Sequence, residues 1–220
     1  IVGMDNCFEA ARLCGVKRIV YASSVAVSGL QKHFGDRPTN EDDATYGTSQ
    51  YAMHKIFNEF QAQQYNKNYG MSITGVRPAN VTGPDKVRGS VDHVRLITIP
   101  AQGQPVHLPW KAMMRLPIHV EDIAEVFVRV LLADAPRYPV YNSGGTPISL
   151  GDLAAIVREF LPEAQITFAN DGGIEESGNN LVDNSRLRQE FEVEYPPFRA
   201  RVLEIINEIR RQEGLPLVPG

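Results

Sequence analysis

Arg18-Ile19-Val20-Tyr21-Ala22-Ser23-Ser24 is the stretch on which the fold turns. Its first part is a short apolar run with β-branched and aromatic side chains, set behind Gly15 and the basic pair Lys17-Arg18. It reads as a strand buried in a parallel sheet. Ser23 and Ser24 close it at the C-terminal end, where open parallel sheets bind their ligands. On its N-terminal side Met4, Cys7, Phe8, Ala11 and Cys14 recur at helical spacing, and Gly15 supplies a stop, so Met4 to Cys14 is expected to be an amphipathic helix.

Outward from this strand the pattern alternates. Val25 to Gln50 is irregular, holds Gly29, Gly35, Pro38 and Gly47, and is long for a plain connection, which argues for a functional loop. Its acidic cluster, Glu41, Asp42 and Asp43, reads as solvated surface. Tyr51 to Tyr69 is expected to be a helix, ended by Gly70, with Ile56, Phe60 and Tyr65 as its apolar side. Met71 to Val76 is the next strand and leads into a turn rich in proline and glycine, Arg77 to Pro84. Asp85 to Trp110 reads as loop-rich, with a short helix around Val91 to Thr98. Met113 to Ile118 is a candidate strand. His119-Val120-Glu121-Asp122 opens a helix with Ile123, Val126, Phe127, Val130 and Leu131 apolar, and acidic residues in the first turn suit the helix dipole. Val140 to Asn142 is a strand, and Ser149 starts a helix that turns Leu150, Leu153, Ile156, Val157 and Phe160 to one side. Gly172 to Asn180 is a polar loop, Glu190 to Pro197 is irregular, Phe198 to Arg211 is a final helix, and Gly214 to Gly220 is a frayed tail. Strands alternating with helices predict an α/β fold.

Composition narrows the function. The chain has 220 residues and a net charge of −4, which gives no electrostatic reason to expect nucleic acid or an anionic membrane as partner. No apolar run approaches the ~20 residues of a membrane span. Cys7 and Cys14 would stand about ~10 Å apart along a helix axis, too far for a disulfide. They are expected to pack as small apolar groups in a reducing, cytoplasmic compartment, with no metal role. Because the chain opens at Ile1, inside a helical pattern, a preceding N-terminal segment is expected.

Tyr51-Ala52-Met53-His54-Lys55 carries the chemistry. Tyr51 and Lys55 lie one turn apart and project from one face. A phenol titrates near ~10 in water. A nearby ammonium favours the phenolate, and the pair can then exchange a proton with a substrate hydroxyl. Alone the spacing is a weak signal, since most such pairs are solvated helix surface.

Four segments in one order raise its weight: Gly15 to Ser24, Tyr51-x-x-x-Lys55, Arg77-Pro78-x-Asn80-Val81-x-Gly83-Pro84, and His119-Val120-x-Asp122-x-Ala124. Later come Tyr141-Asn142-x-Gly144-Gly145 and Asp183-Asn184-Ser185-Arg186. With these the chain resembles an extended short-chain dehydrogenase/reductase of the NAD-dependent epimerase/dehydratase type, nearly end to end.

The resemblance implies a Rossmann-like doubly wound parallel sheet, with its N-terminal part missing, and a smaller C-terminal substrate lobe. Residues 1–84 would be the remainder of the dinucleotide-binding domain. Residues 85–220 would be mainly the lobe, with 118–143 returning to the first domain. It implies that Ser24 hydrogen-bonds the reacting oxygen, that Tyr51 is the acid/base, and that Lys55 holds the nicotinamide ribose. Ala22, Ser23, Pro78 and Val81 would line the cofactor site. Asn80 would face the substrate, and Arg115 would bind its diphosphate. His119 and Asp122 would be structural. The implied cofactor is NAD or NADP, and the implied partners are a nucleotide sugar and a second copy of the chain, met through the helices at Met4 to Cys14 and Tyr51 to Tyr69.

Three departures shape the expectation. No glycine-rich dinucleotide fingerprint lies between a first strand and a helix, so the 220 residues alone are not expected to bind NAD with normal affinity. Val25 and Ala26 stand where dehydratase members carry an Asp-Glu pair, and neither transfers protons, which sets aside 4,6-dehydration and decarboxylation. Ser28 stands where a tyrosine is usual. The function implied is sugar-nucleotide epimerisation by transient hydride transfer. The alternatives are a dehydrogenase or reductase of a sugar or other small hydroxyl or carbonyl substrate, and a non-catalytic cofactor sensor on the same fold.

Overall fold

The computed structural model describes residues 1–174 and 178–220. In chain order its helices are α1 (Val2–Leu13), α2 (Gln50–Tyr69), α3 (Asp92–Ala101), α4 (Val120–Leu132), α5 (Leu150–Phe160), α6 (Ser185–Phe191) and α7 (Phe198–Gln212). Its strands are β1 (Arg18–Ala22), β2 (Ser72–Arg77), β3 (Asn80–Thr82), β4 (Val106–Trp110), β5 (Met114–Arg115), β6 (Pro117–His119), β7 (Val140–Asn142), β8 (Ile148–Ser149) and β9 (Ile166–Asn170). The chain divides into two compact units. The first comprises Ile1–Ala79, Glu121–Gly144 and Leu181–Glu194; the second comprises Asn80–Val120, Gly145–Asn180 and Tyr195–Gly220.

The first unit is built on a parallel sheet in the order β1-β2-β7. β1 runs beside β2 from Arg18↔Ser72 to Ala22↔Val76, and β2 beside β7 from Gly75↔Val140 to Arg77↔Asn142. All three strands therefore end at one edge, which collects Ala22, Ser23, Arg77 and Asn142. Phe8 of α1, Tyr21 of β1, Ala62 of α2 and Ile73 of β2 form the core beneath. The Phe8 and Tyr21 rings meet edge-on at 5.7 Å. Gly75 is required here: a Cβ on it would lie 2.9 Å from the Tyr21 ring.

Two expectations about this unit fail. Cys7 and Cys14 are exposed, because Phe8 takes the inward position of α1 and turns its neighbour outward. Of the expected apolar side of α2, Tyr65 packs against this core and Ile56 is half-buried, but Phe60 is exposed, and the buried residues are Ala52, Asn58, Glu59 and Ala62. Close approach to the sheet favours small side chains there, and the charge of Glu59 is satisfied by partners described below.

The stretch between β1 and α2 is more ordered than its composition implies. It begins with two 3-10 turns, Val25–Ser28 and Gln31–His33. Gly29 ends the first at φ 79°, and a Cβ there would lie 2.4 Å from the Tyr46 carbonyl oxygen. Gly47 lets the chain pass close to α2, where a Cβ would lie 2.5 Å from that of Ala52. Gly29→Ala should lower stability by about 1–3 kcal/mol, the usual cost of a strained backbone, measured as a shift in the denaturant midpoint. Glu41, expected to be solvated, is buried, and its carboxylate accepts the Asn142 N–H at 2.8 Å. Burial pushes its pKa up.

In the second unit α3, α5 and α7 enclose a core of Leu96, Ile97, Leu153, Val157, Val202 and Ile206, among others. Three short pairs frame it: parallel β3-β6 and β4-β9, and antiparallel β5-β8. β4 and β9 lie where loop was expected or nothing was assigned. Pro109 argues against a strand, yet it sits at an exposed position of β4, a strand with one paired neighbour. The tail after α7 is pinned rather than frayed. Asn207 and Val218 exchange two hydrogen bonds, of 2.9 and 2.8 Å. Of the polar loop 172–180, residues 175–177 lie outside the described residues. Among the described residues no helix is long and apolar enough to cross a membrane.

Candidate active site

The site in the first unit begins at the end of β1. The Ser23 N–H donates to the Val76 carbonyl at 2.7 Å, and the Val25 N–H to the Pro78 carbonyl at 3.2 Å. These bonds carry the chain past the last strand pair and hold Ser24 in extended backbone, φ −165°. The buried Ser24 Oγ accepts the Ala26 N–H at 3.1 Å and so caps the first 3-10 turn. Its own O–H is left to donate.

Tyr51 lies in the first turn of α2. Ser49 caps that helix, its Oγ accepting the Ala52 N–H at 3.1 Å. Tyr51 is 55% exposed, so an incoming ligand reaches its phenol. One turn on, the Lys55 ammonium donates to the Ala22 carbonyl at 2.6 Å and lies 5.6 Å from the centroid of the Tyr51 ring. Lys55 therefore links the strand end to the tyrosine. Burial lowers its pKa, as desolvation does for any ammonium.

Beneath these groups lies a charged network that sequence reasoning passed over. Glu59, one turn beyond Lys55, accepts two bonds from the Arg77 guanidinium, both 2.8 Å, and one from the Ser23 hydroxyl at 2.5 Å. The Arg77 and Glu59 side chains are only 4% and 9% exposed. The available signal was Glu59 itself, a carboxylate on the same helical face as Tyr51 and Lys55. Pro78 follows Arg77, and the adjoining Ala79 N–H donates to Ser143 Oγ at 3.0 Å.

Of the remaining predicted residues, Asn80, Val81, Arg115 and His119 belong to the second unit and Asp122 to the first. Val81 is half-buried in β3. Asn80 precedes it and exchanges two bonds with Leu116: its N–H to the carbonyl and its Oδ1 from the N–H, both 2.9 Å. Its carboxamide oxygen is thus committed to the β3-β6 pair. Arg115 on β5 directs its guanidinium to Asp92 at the start of α3, Nε to Oδ1 at 2.9 Å and Nη2 to Oδ2 at 2.5 Å. Burial opposes the charge of Asp92, but bonds from His93 and Arg115 outweigh it and hold the carboxyl well below the usual range. His119 and Asp122 are both buried.

The strand end, serine, tyrosine and lysine can bring a proton donor and an acceptor to one oxygen-bearing carbon. The solved L-threonine 3-dehydrogenase of Trypanosoma brucei is similar, with a TM-score of 0.87 over 98% of this chain and 70% of that one, at 17% identity. UDP-glucose 4-epimerase of Thermus thermophilus, solved with NAD, has a TM-score of 0.79 over 96% of this chain and 69% of that one, at 22% identity. In sequence the chain is 26% identical over 212 residues to a dTDP-4-dehydro-6-deoxy-D-allose reductase of Streptomyces, covering 91% of this chain and 63% of the relative. A second such reductase, from Streptomyces bikiniensis, is 52% covered, so the chain spans between about half and two-thirds of the length of these relatives. The model of the NAD dependent epimerase/dehydratase family matches residues 1–144. That match covers most of the chain, and the chain belongs to the NAD-dependent epimerase/dehydratase family.

Proposed function

We propose that this chain carries the acid–base half of an NAD(P)-dependent sugar-nucleotide epimerase. The observation that supports this most is the placement of the Lys55 ammonium between the Ala22 carbonyl and the Tyr51 ring. An ammonium and a phenol side by side at the C-terminal edge of a parallel sheet form a donor set that suits the hydroxyls of a nicotinamide ribose. The cofactor, when bound, accepts and returns a hydride. The chain's own residues do the rest. Tyr51 takes the proton of the substrate hydroxyl and gives it back. Ser24 donates to the same oxygen, and Lys55 keeps a positive charge beside the phenol. Ala22, Ser23, Pro78 and Val81 line the cofactor's side. The first unit then serves the cofactor, and the second unit offers Asn80 and Arg115 to the substrate. Val25 and Ala26, inside the 3-10 turn, offer no proton for dehydration.

A second reading is a dehydrogenase or reductase of a small hydroxyl or carbonyl substrate. It is favoured by the Arg115–Asp92 pair, which already fills the guanidinium fork that a diphosphate would use. The discriminating experiment is an assay of the full-length protein with NAD or NADP against UDP- and dTDP-sugars, followed by proton NMR. A 4-epimer supports the first reading. Net oxidation or reduction of a small substrate, with no sugar nucleotide turned over, replaces it with the second. Cofactor binding without turnover of any substrate leaves a sensor.

We also propose that the protein is a homodimer through α1 and α2. Met53, Phe57 and Phe60 on α2 are exposed, with the two phenyl rings 6.1 Å apart, and apolar groups grouped in this way mark association surfaces. Phe60→Glu should convert the dimer to a monomer in light scattering. A wild-type protein that is monomeric at high concentration contradicts the assignment.

A further inference from the structure

We propose that the Ser23 hydroxyl is a positioning group: through Glu59 it fixes where Ser24 stands relative to Tyr51, and so sets the geometry in which both meet one substrate oxygen. The inference rests on the acid–base reading above. Ser24 and Tyr51 come from different elements, the end of β1 and the first turn of α2. The whole segment 25–50 lies between them, so their spacing depends on how α2 is fastened to the strand end. Two polar bonds do this near the site, and they reach consecutive residues. The Lys55 ammonium donates to the Ala22 carbonyl at 2.6 Å. One turn on, the Glu59 carboxylate accepts the Ser23 hydroxyl at 2.5 Å. Ser24 is the next residue along.

The second bond does what the first cannot. A single contact is a pivot about which the strand end can turn; a second one, a turn further along the helix, removes that freedom. Packing is a poor substitute here, because the inner face of α2 is built partly of Ala52 and Ala62, whose small side chains give little interlock. A hydrogen bond, by contrast, weakens steeply when its angle changes. The acceptor is itself held still. Glu59 Oε1 takes both the Ser23 hydroxyl and Arg77 Nε, while Oε2 takes Arg77 Nη2. The guanidinium fork fixes the plane of the carboxylate, so it cannot rotate to follow a displaced serine. Ser23 is 2% exposed and Glu59 7%, so little water competes for the bond. Backbone bonds from Ser23 to Val76 and from Val25 to Pro78 tie the same strand end to β2 and its continuation. Arg77, at the end of β2, thus locks to α2 the strand end that carries Ser24. Ser23 itself moves no proton of the substrate; its hydrogen is directed at Glu59.

The test is Ser23→Ala in the full-length protein. The substitution leaves Glu59 paired with Arg77, so no buried charge is stranded. In rapid mixing of the NAD-loaded protein with UDP-glucose, the absorbance rise of reduced nicotinamide should be about 10- to 100-fold slower, the usual effect of an ångström-scale misplacement. The UDP-glucose concentration that half-saturates the rate should be unchanged. In a Ser24→Ala background the same substitution should slow the rise no further, because the group it positions is gone, whereas a general weakening of the fold would slow both backgrounds alike. A second readout needs neither cofactor nor substrate. The Ala26 N–H donates to Ser24 Oγ at 3.1 Å, so its exchange with deuterium, followed by NMR, reports on that side chain and should be faster in Ser23→Ala. An unslowed rise, an equal loss in the Ser24→Ala background, or unchanged exchange at Ala26 overturns the positioning role and leaves the acid–base reading standing. A loss confined to UDP-glucose affinity overturns it as well, since Ser23 would then be a binding contact. No rise in the wild type with any nucleotide sugar overturns that reading and this role with it.

Discussion

Tyr51→Phe should lower kcat of the full-length enzyme by about 100- to 10,000-fold, the usual share of general acid–base catalysis, with KM nearly unchanged. The substitution removes one hydroxyl and keeps the ring. Tyr51 is more than half exposed, so the fold loses little packing. Lys55 retains its bond to the Ala22 carbonyl and its place over the ring. Cofactor and substrate then bind much as before, and only the proton relay is gone. A fall in kcat and kcat/KM together is the mark of an interaction made in the transition state alone. Steady-state kinetics on the purified variant reads this directly. Unchanged turnover would remove Tyr51 from the mechanism.

Glu59→Ala should be the most destabilising single change in the first unit, by about 3–5 kcal/mol, because it strands a buried guanidinium. The Arg77 side chain has almost no contact with water, and its Nε and Nη2 both go to Glu59. Ser23 loses its acceptor in the same step. These bonds join α2, which carries Tyr51 and Lys55, to the ends of β1 and β2. The loss would therefore also loosen the serine end of the site. Replacing both partners with apolar groups, as in Glu59→Leu with Arg77→Met, should recover much of the stability, since no charge is then left buried. Denaturant unfolding of the single and double variants measures the difference. A single variant as stable as the wild type would show that water reaches Arg77.

The sheet of the first unit was legible in the sequence because its signals are local. The β-branched run of β1 and the apolar run of β2 each announce a buried strand, and Gly70 marks the end of α2 through its left-handed φ of 64°. The proposed catalytic set could be read as a pattern because Tyr51 and Lys55 share a helix and Ser24 follows a strand. What escaped was non-local. Periodicity assigned Phe60 inward, but the inner face of α2 is made of Ala52, Ala62 and a Glu59 whose partners are Arg77 of β2 and Ser23 just past the end of β1. Likewise Glu41 reads as one of three surface acids until β7 brings Asn142 to it. β4 and β9 were hidden for a related reason: each is short, one carries a proline, and each pairs with a strand distant in sequence. Arg115 shows the opposite failure. Its motif position was readable, but its ion pair with Asp92 was not, because Asp92 lies 23 residues earlier in the chain.

The central claim is that Tyr51, supported by Lys55 and Ser24, moves the proton of a nucleotide-sugar hydroxyl. The most direct test is rapid mixing of the NAD-loaded full-length protein with UDP-glucose, following the near-ultraviolet absorbance of reduced nicotinamide. The account predicts a transient rise in the wild type and none in Tyr51→Phe. A rise of equal rate in both proteins, or no rise in the wild type with any nucleotide sugar that binds, would contradict it.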